Sequence, residues 1–443
     1  MASAAEQLAA NLNFRSFAKA DELKKRIWFT LAALVVYRLG TYIPLPGIDP
    51  VALAQAFEQA QSGLIGLFNV FAGGAVGRMA IFALGIMPYI SASIIIQLLT
   101  TVVPRLEQLK KEGEQGRKTI NQYTRYGTVI LATIQAYGIS VGLEAAGTIV
   151  TDPGWFFRFT AVVTLVGGTM FLMWLGEQIT SRGVGNGISL IIFAGIIAEL
   201  PAALAGTLEL GRQGALSTPI ILAVILMAVV VIALIVFVER AQRRLLIQYP
   251  RRQVGNRMFQ GDSSHLPLKL NTAGVIPPIF ASSLLLVPAT LGSFGNQQGG
   301  GVLGTIQALL GHGQPLYMLL YAGMIAFFAF FYTAIVFNPS DTADNLKKHG
   351  GYIPGIRPGE RTAQYIDFVL TRITVVGAIY LVLVCLLPEF LISATAVPFY
   401  FGGTSLLIVV SVTMDTVSQV QGHLLAHQYE GLVKRSKLKG KRR

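Results

Sequence analysis

The chain has 443 residues, of which 53% are hydrophobic and only 13% charged, with a mean hydropathy of +0.58. A soluble protein of this length carries about twice that share of charge, so the composition excludes an ordinary globular enzyme and points to an α-helical membrane protein. The net charge is +13, and the single cysteine, Cys385, rules out an intramolecular disulfide.

Ten apolar runs approach the roughly 20 residues a helix needs to cross a bilayer: 27–43, 81–103, 126–143, 156–176, 188–204, 219–238, 273–293, 316–337, 373–392 and 398–416. Residues 6–26 read as a short amphipathic helix ending in Lys24-Lys25-Arg26 on the inner membrane surface. No cleavable leader is expected, because the first span starts only after residue 26 and no small-residue cleavage site closes it. Pro44-Leu45-Pro46-Gly47 breaks the chain after that span, and residues 51–61 suit one short outer helix. Residues 63–78, GLIGLFNVFAGGAVGR, are apolar, glycine-rich and too short to span. Leu64, Ile65, Leu67, Phe68, Val70 and Phe71 do not belong in water, so the segment reads as re-entrant and tucked into protein. A surface loop packed on neighbouring helices is the competing reading.

The inner loops differ in length. Segment 104–125 is moderate and charged, and 177–187 is short and glycine-rich. Loop 239–270 carries Arg240, Arg243, Arg244, Arg251, Arg252, Arg257 and Lys269 against only Glu239 and Asp262. Paired arginines on a projecting loop suit phosphate or carboxylate partners, with attraction to anionic lipid as the alternative. Loop 338–372 carries Lys347-Lys348 and the rigid turn Pro354-Gly355-Ile356-Arg357-Pro358-Gly359. Residues 292–315 form a Gly/Gln-rich outer connector, and the basic tail from 434 onward reads as disordered. With both termini in the cytoplasm, all but four of the 35 Lys and Arg fall on the cytoplasmic side. The exceptions are Arg38, Arg78, Arg158 and Arg212.

One pattern occurs twice. Residues 85–93 read GIMPYISAS and residues 274–282 read GVIPPIFAS, each inside the second span of a five-span half. The halves are 27–204 and 219–416, joined by a connector at 205–218 and followed by the tail 417–443; an odd span count makes them inverted repeats. Pro88 and Pro277 are expected to bend their helices. Ala92, Ser93, Ala281 and Ser282, one turn on, allow close helix approach. Ile86 and Ile90, and Ile188 and Ile192, lie four apart on single helix faces. Ile279 matches Ile90, and Ile408 lies in the tenth span. An apolar constriction closes a pore by dewetting, although ordinary packing accounts equally for any one isoleucine.

Residues 81–103 and 271–311 contain no Asp, Glu, Lys, Arg or His. An ion-coupled transporter on inverted repeats generally needs membrane carboxylates or histidines. An intramembrane protease needs a buried base beside its nucleophile, yet His265, His312, His349, His423 and His427 all lie outside the spans. No nucleotide, metal or cofactor motif is present, so neither an enzyme nor a cofactor is expected.

The stretches GGAVGRMAIFALGIMPYISASIIIQLL (73–99), MWLGEQIT (173–180), GNGISLIIFAGI (185–196), FVERAQRR (237–244), FNPSDTADNLKKHGGYIPGIRPG (337–359) and PFYFGGTSLLIVV (398–410) resemble the bacterial SecY family, the channel subunits of the Sec translocon. The resemblance covers roughly 15–430. It implies an all-α integral membrane protein of ten transmembrane helices in two inverted five-helix halves, a clamshell. It implies a passive channel for secreting unfolded preproteins and inserting membrane proteins sideways into lipid. Ile86, Ile90, Ile188, Ile192, Ile279 and Ile408 would form the pore ring. Residues 64–78, with Leu64, Phe68, Phe71, Gly73 and Gly74, would form the plug. Pro88, Ala92, Ser93, Pro277, Ala281 and Ser282 would line a lateral gate for preprotein signal sequences. Arg243, Arg244, Arg251, Arg252, Arg257 and Arg357 would dock the SecA ATPase or the rRNA of a translating ribosome. SecE, SecG, SecDF, YidC and membrane lipids are further implied partners, in the bacterial plasma (inner) membrane with both termini cytoplasmic. Pro278, beside Pro277, departs from the family pattern and predicts a more sharply kinked gate helix.

Overall fold

The computed structural model of the chain describes residues 21–60, 69–145, 147, 149–214, 217–249, 252–254, 257–259, 263–293, 314–394 and 403–440. Within these, each predicted span lies largely on one helix: α1 Asp21–Gly40, α3 Met87–Val102, α5 Glu114–Ala145, α6 Trp155–Arg182, α7 Gly187–Arg212, α8 Thr218–Arg240, α9 Ile276–Ser293, α10 Pro315–Val336, α12 Glu360–Ala394 and α13 Gly403–Gly440. Short helices α2 (Pro50–Ala60), α4 (Pro104–Lys111) and α11 (Pro339–Lys348) lie between them. Seven of the spans are long and apolar enough to cross a membrane singly, and α3 with α4, bent by 98° at their junction, makes an eighth. The other two fall short for local reasons. Helix α1 opens with Asp21, Glu22, Lys24, Lys25 and Arg26, and α9 qualifies only as a shorter apolar helix over Ile276–Leu285.

Several expectations change. Residues 21–26 are the first turns of α1 rather than the end of a separate surface helix; residues 1–20 lie outside the described set. Helix α7 continues through Pro201 to Arg212, so most of the connector 205–218 is helical. The tail is helical through Gly440 because Leu, Lys and Arg there favour helix and no proline intervenes. Loop 239–270 is a β-ribbon. Strand β1 (Gln242–Gln248) pairs antiparallel with β4 (Ser263–Lys269), and β2 (Arg252–Val254) with β3 (Arg257–Phe259). The alternation in β1, with Leu245 and Ile247 buried between exposed neighbours, is the strand signature that the loop's charge concealed.

The described residues fall into two compact units. The first holds those within Met1–Ala205, Pro288–Gly304 and Ile408–Arg443; the second holds those within Gly206–Val287 and Thr305–Leu407. In the first, α5 presents a stripe of small residues, with Thr124, Thr128, Ala132, Ala136 and Ser140 all buried at four-residue spacing. The Thr and Ser hydroxyls bond their own helix's carbonyls (Thr128 Oγ1 to Thr124 O, 2.8 Å), so the stripe carries no unmet polar group. Leu45, Met79, Leu84, Phe157 and Leu165 pack over it as the core. In the second unit, Leu245 and Leu268 of the ribbon pack on Ile353, Ile366 and Ile373, which seats the ribbon on α12 and the loop before it.

Candidate functional site: paired helix starts and a buried glycine-rich segment

The repeated nonapeptide marks the beginning of a helix in each unit, and its prolines bend nothing. Gly85 (φ +56°) and Gly274 (φ +64°) both take the left-handed conformation that glycine adopts without strain. The helices start two residues later, at Met87 and at Ile276. The first backbone bonds then match in register: Ile90 N–H to Ile86 O, 3.2 Å, and Ile279 N–H to Val275 O, 3.5 Å. Pro88 and Pro277 therefore occupy the first turn, whose N–H groups have no intrahelical partner in any case. The expected kinks are absent for this reason, and Pro278 adds no kink either. The predicted second span loses residues 81–86, which form turns that end at Gly85.

Burial follows the same register. Ile90 and Ile279 are buried, as are Ala92 and Ala281, while Ser93 and Ser282 are half-buried. Ser282 Oγ donates to Ile279 O at 3.0 Å. Ala92 packs on α5, since a Cβ built at Gly127 would lie 3.4 Å from the Ala92 methyl. Ile86, Ile192 and Ile408 are buried. Ile188 is half-buried and lies against Gly176 of α6, where an added Cβ would sit 3.2 Å from its Cγ1. Ile86, Ile90, Ile188, Ile192 and Ile408 belong to the first unit and Ile279 to the second.

Residues 69–86 lead into α3 through a short helical turn and a run of tight turns. Val70, Phe71, Ala72, Gly73, Gly74 and Ala75 are all buried; Leu64 and Phe68 lie outside the described residues. Asn69 folds the segment on itself: its carbonyl accepts from Gly74 N–H (2.9 Å) and its Oδ1 from Gly77 N–H (2.8 Å). Gly73 (φ +65°) and Gly74 (φ +79°) are left-handed.

A cluster that sequence reasoning missed fastens this segment. Arg38 Nη1 donates to the Gly73 carbonyl at 2.6 Å, and its Nη2 to Tyr42 Oη at 2.8 Å. The Arg38 and Arg78 guanidinium groups both approach the Tyr42 ring, 4.8 and 4.2 Å from its centroid. Arg78 faces Glu199 at 3.9 Å, and a Cβ at Gly74 would overlap the Glu199 carboxylate. A hint was present, since Arg38 and Arg78 break the charge asymmetry. The other two exceptions are paired as well, Arg158 with Glu144 (2.6 Å) and Arg212 with Glu209 (3.7 Å). On the far side of the first unit, Arg125 grips Glu177 with three bonds of 2.8–3.2 Å, joining α5 to α6.

Among the basic candidates, Arg243, Arg244 and Arg357 are surface groups. Arg243 and Arg244 are exposed on β1. Arg252 pairs with Phe259 and Arg257 with Val254 across the short ribbon, and Arg251 lies outside the described residues. Arg357 is exposed between Gly355 (φ +83°) and Gly359 (φ +106°), and its carbonyl accepts from Thr362 Oγ1 at 2.9 Å. A bridge between Gln248 and Tyr352 (2.9 and 3.0 Å) joins that loop to β1.

Comparison with known proteins agrees with this architecture. Residues 80–417 match the SecY family model. The chain is 59% identical over 423 residues to protein translocase subunit SecY of Escherichia coli strain K12, covering 95% of this chain and 96% of that one. It is 58% identical over 421 residues to the same subunit of Pseudomonas aeruginosa strain PAO1, covering 95% of each. Among solved structures, a protein-conducting channel aligns with TM-score 0.62 at 18% identity, covering 90% of this chain and 92% of that one. A SecY structure, described as one whose plug domain stabilises the closed channel and maintains a membrane seal, aligns with TM-score 0.64 at 20% identity over the same shares. Those channels share the ten-helix fold in two halves. The chain belongs to the SecY family.

Proposed function

We propose that this protein is the pore-forming subunit of a protein translocase, a passive channel that carries unfolded chains across a bacterial plasma membrane and releases apolar segments sideways into lipid. The observation that carries the reading is the largely buried run of turns over 72–86 leading into a helix start. Non-helical backbone at membrane depth is tolerated only where protein buries it or a water-filled cavity borders it. A plug seated against its own protein meets that condition. Residues 64–78 act as this plug, and the six isoleucines form the constriction it covers. Pro88, Ala92 and Ser93 of α3 and Pro277, Ala281 and Ser282 of α9 serve a lateral gate, the small residues offering smooth helix surfaces. The halves 27–204 and 219–416 are the two valves. Energy comes from SecA or a translating ribosome docking on Arg243, Arg244, Arg251, Arg252, Arg257 and Arg357, and the chain itself catalyses no reaction. SecE and SecG complete the complex, both termini lie in the cytoplasm, and SecDF and YidC join it as accessory partners. Near-full-length similarity to translocase subunits favours this reading over a small-solute transporter.

Two measurements test it. Deleting 64–78 raises resting ion conductance in planar bilayers, whereas a carrier simply loses activity. Cysteines at Ser93 and Ser282 joined by a short crosslinker block secretion, and undiminished secretion through the crosslinked protein removes the lateral gate.

A further inference from the structure

Helix α8, the ribbon and α9 are consecutive in the chain, and one side chain ties their junctions together. At the base of the ribbon, Leu270 N–H bonds Ala241 O at 2.9 Å. One residue further, buried Asn271 donates from Nδ2 to Glu239 Oε1 at 2.7 Å, at the end of α8. The same Nδ2 donates to Gly274 O and Oδ1 accepts from Gly274 N–H, both at 3.1 Å. Gly274 is the left-handed residue that launches α9. Helix α12 closes over the same junction, since a Cβ at Gly377 would sit 2.8 Å from the Leu270 carbonyl. A displacement of the ribbon base therefore has little slack before it reaches the first turn of α9.

We propose that Asn271 is a positioning residue that couples the basic ribbon to the start of α9, so that a carboxylate- or phosphate-bearing partner loading the ribbon biases the α9 helix start. The coupling is local geometry within the second unit; its consequence for gating rests on the channel reading above.

Amide hydrogen exchange on the full-length protein in its complex, reconstituted in nanodiscs, tests the coupling without any translocation step. Leu245→Ala, or the milder Ile247→Val, loosens the ribbon from within, because both side chains are buried beneath it. With Asn271 intact, the substitution speeds exchange over 274–282 by about fivefold or more. In the Asn271→Ala background, the same substitution speeds exchange there by less than about twofold. Glu239→Gln, which keeps an acceptor for Asn271 Nδ2, preserves the coupled response. The proposal is overturned if loosening the ribbon leaves 274–282 unchanged, or if its effect is equal with and without Asn271. Because this readout needs no pore, its failure is distinct from failure of the channel reading, which the conductance assay reports.

Discussion

Replacing Gly74 by alanine asks whether the buried segment is held by fit. Gly74 has φ +79°, a conformation that costs an L-residue about 1–2 kcal/mol. The new Cβ also overlaps the Glu199 carboxylate and lies 3.1 Å from Arg78 Nη2. Glu199 must then swing away from Arg78, and a partly exposed pair of this kind accounts for less than about 1 kcal/mol. Together about 1–3 kcal/mol is withdrawn from the seated segment, and at tenfold per 1.4 kcal/mol the ratio of seated to displaced states falls by roughly fivefold to a hundredfold. Gly85→Ala is the matched control, because φ there is +56° but the nearest atom to a Cβ is the Ala72 methyl at 3.8 Å. It carries the backbone cost without the collision. Single-channel recording from reconstituted resting complexes should show a large rise in open time for Gly74→Ala and a smaller one for Gly85→Ala, with thermal melting reported for both. Equal leak from the two, or no rise for Gly74→Ala, would refute the argument that the Glu199 cradle holds the segment.

Arg38→Gln removes the charged donor to the Gly73 carbonyl, a bond of 2.6 Å in a class that contributes about 1.5–3 kcal/mol; the expected outcome is resting ion leak, partly restored by Arg38→Lys. Pro278→Ala should change the melting temperature little, corresponding to under about 1 kcal/mol, whereas a proline inside a helix costs about 3 kcal/mol; a large stabilisation by Pro278→Ala would show that α9 is kinked after all. Gly187→Ala would drive a methyl into the Gly176 carbonyl, and overpacking of this sort costs about 1–3 kcal/mol; melting should fall, and Ile188 and Ile192 should shift with the start of α7 in site-directed crosslinking. Charge reversal at Arg243 and Arg244, or at Arg357, should weaken SecA or ribosome binding in a salt-sensitive way without reducing membrane insertion, as followed by co-sedimentation.

The spans were legible because a long apolar run says the same thing at every residue. What the prolines do was not legible in this way. A proline inside an apolar run kinks a helix or begins one, depending on where the helix starts, and Gly85 and Gly274 decide that three residues earlier. The asymmetry that places proline at helix starts was the signal to apply. The ribbon escaped because Arg243 and Arg244 dominate its composition, although Leu245 and Ile247 alternate as a strand requires. The Arg38–Gly73 and Arg78–Glu199 contacts join residues far apart in sequence, which no local pattern reveals, and only the misplaced positive charges pointed toward them. Asn271, three residues before a left-handed glycine, carried a turn signature, but its bond to Glu239 depends on the ribbon closing.

Proline at a helix start also shortens the list of groups that must be satisfied there. An α-helix leaves its first N–H groups without intrahelical partners, and a buried donor left unmet costs free energy. Pro277 and Pro278 both lack the N–H, so two positions in the first turn of α9 carry no donor at all. At α3 only Pro88 lacks one. The residue that sets the second copy apart in sequence thus gives α9 a helix start with one donor fewer to satisfy, which suits that end to apolar surroundings.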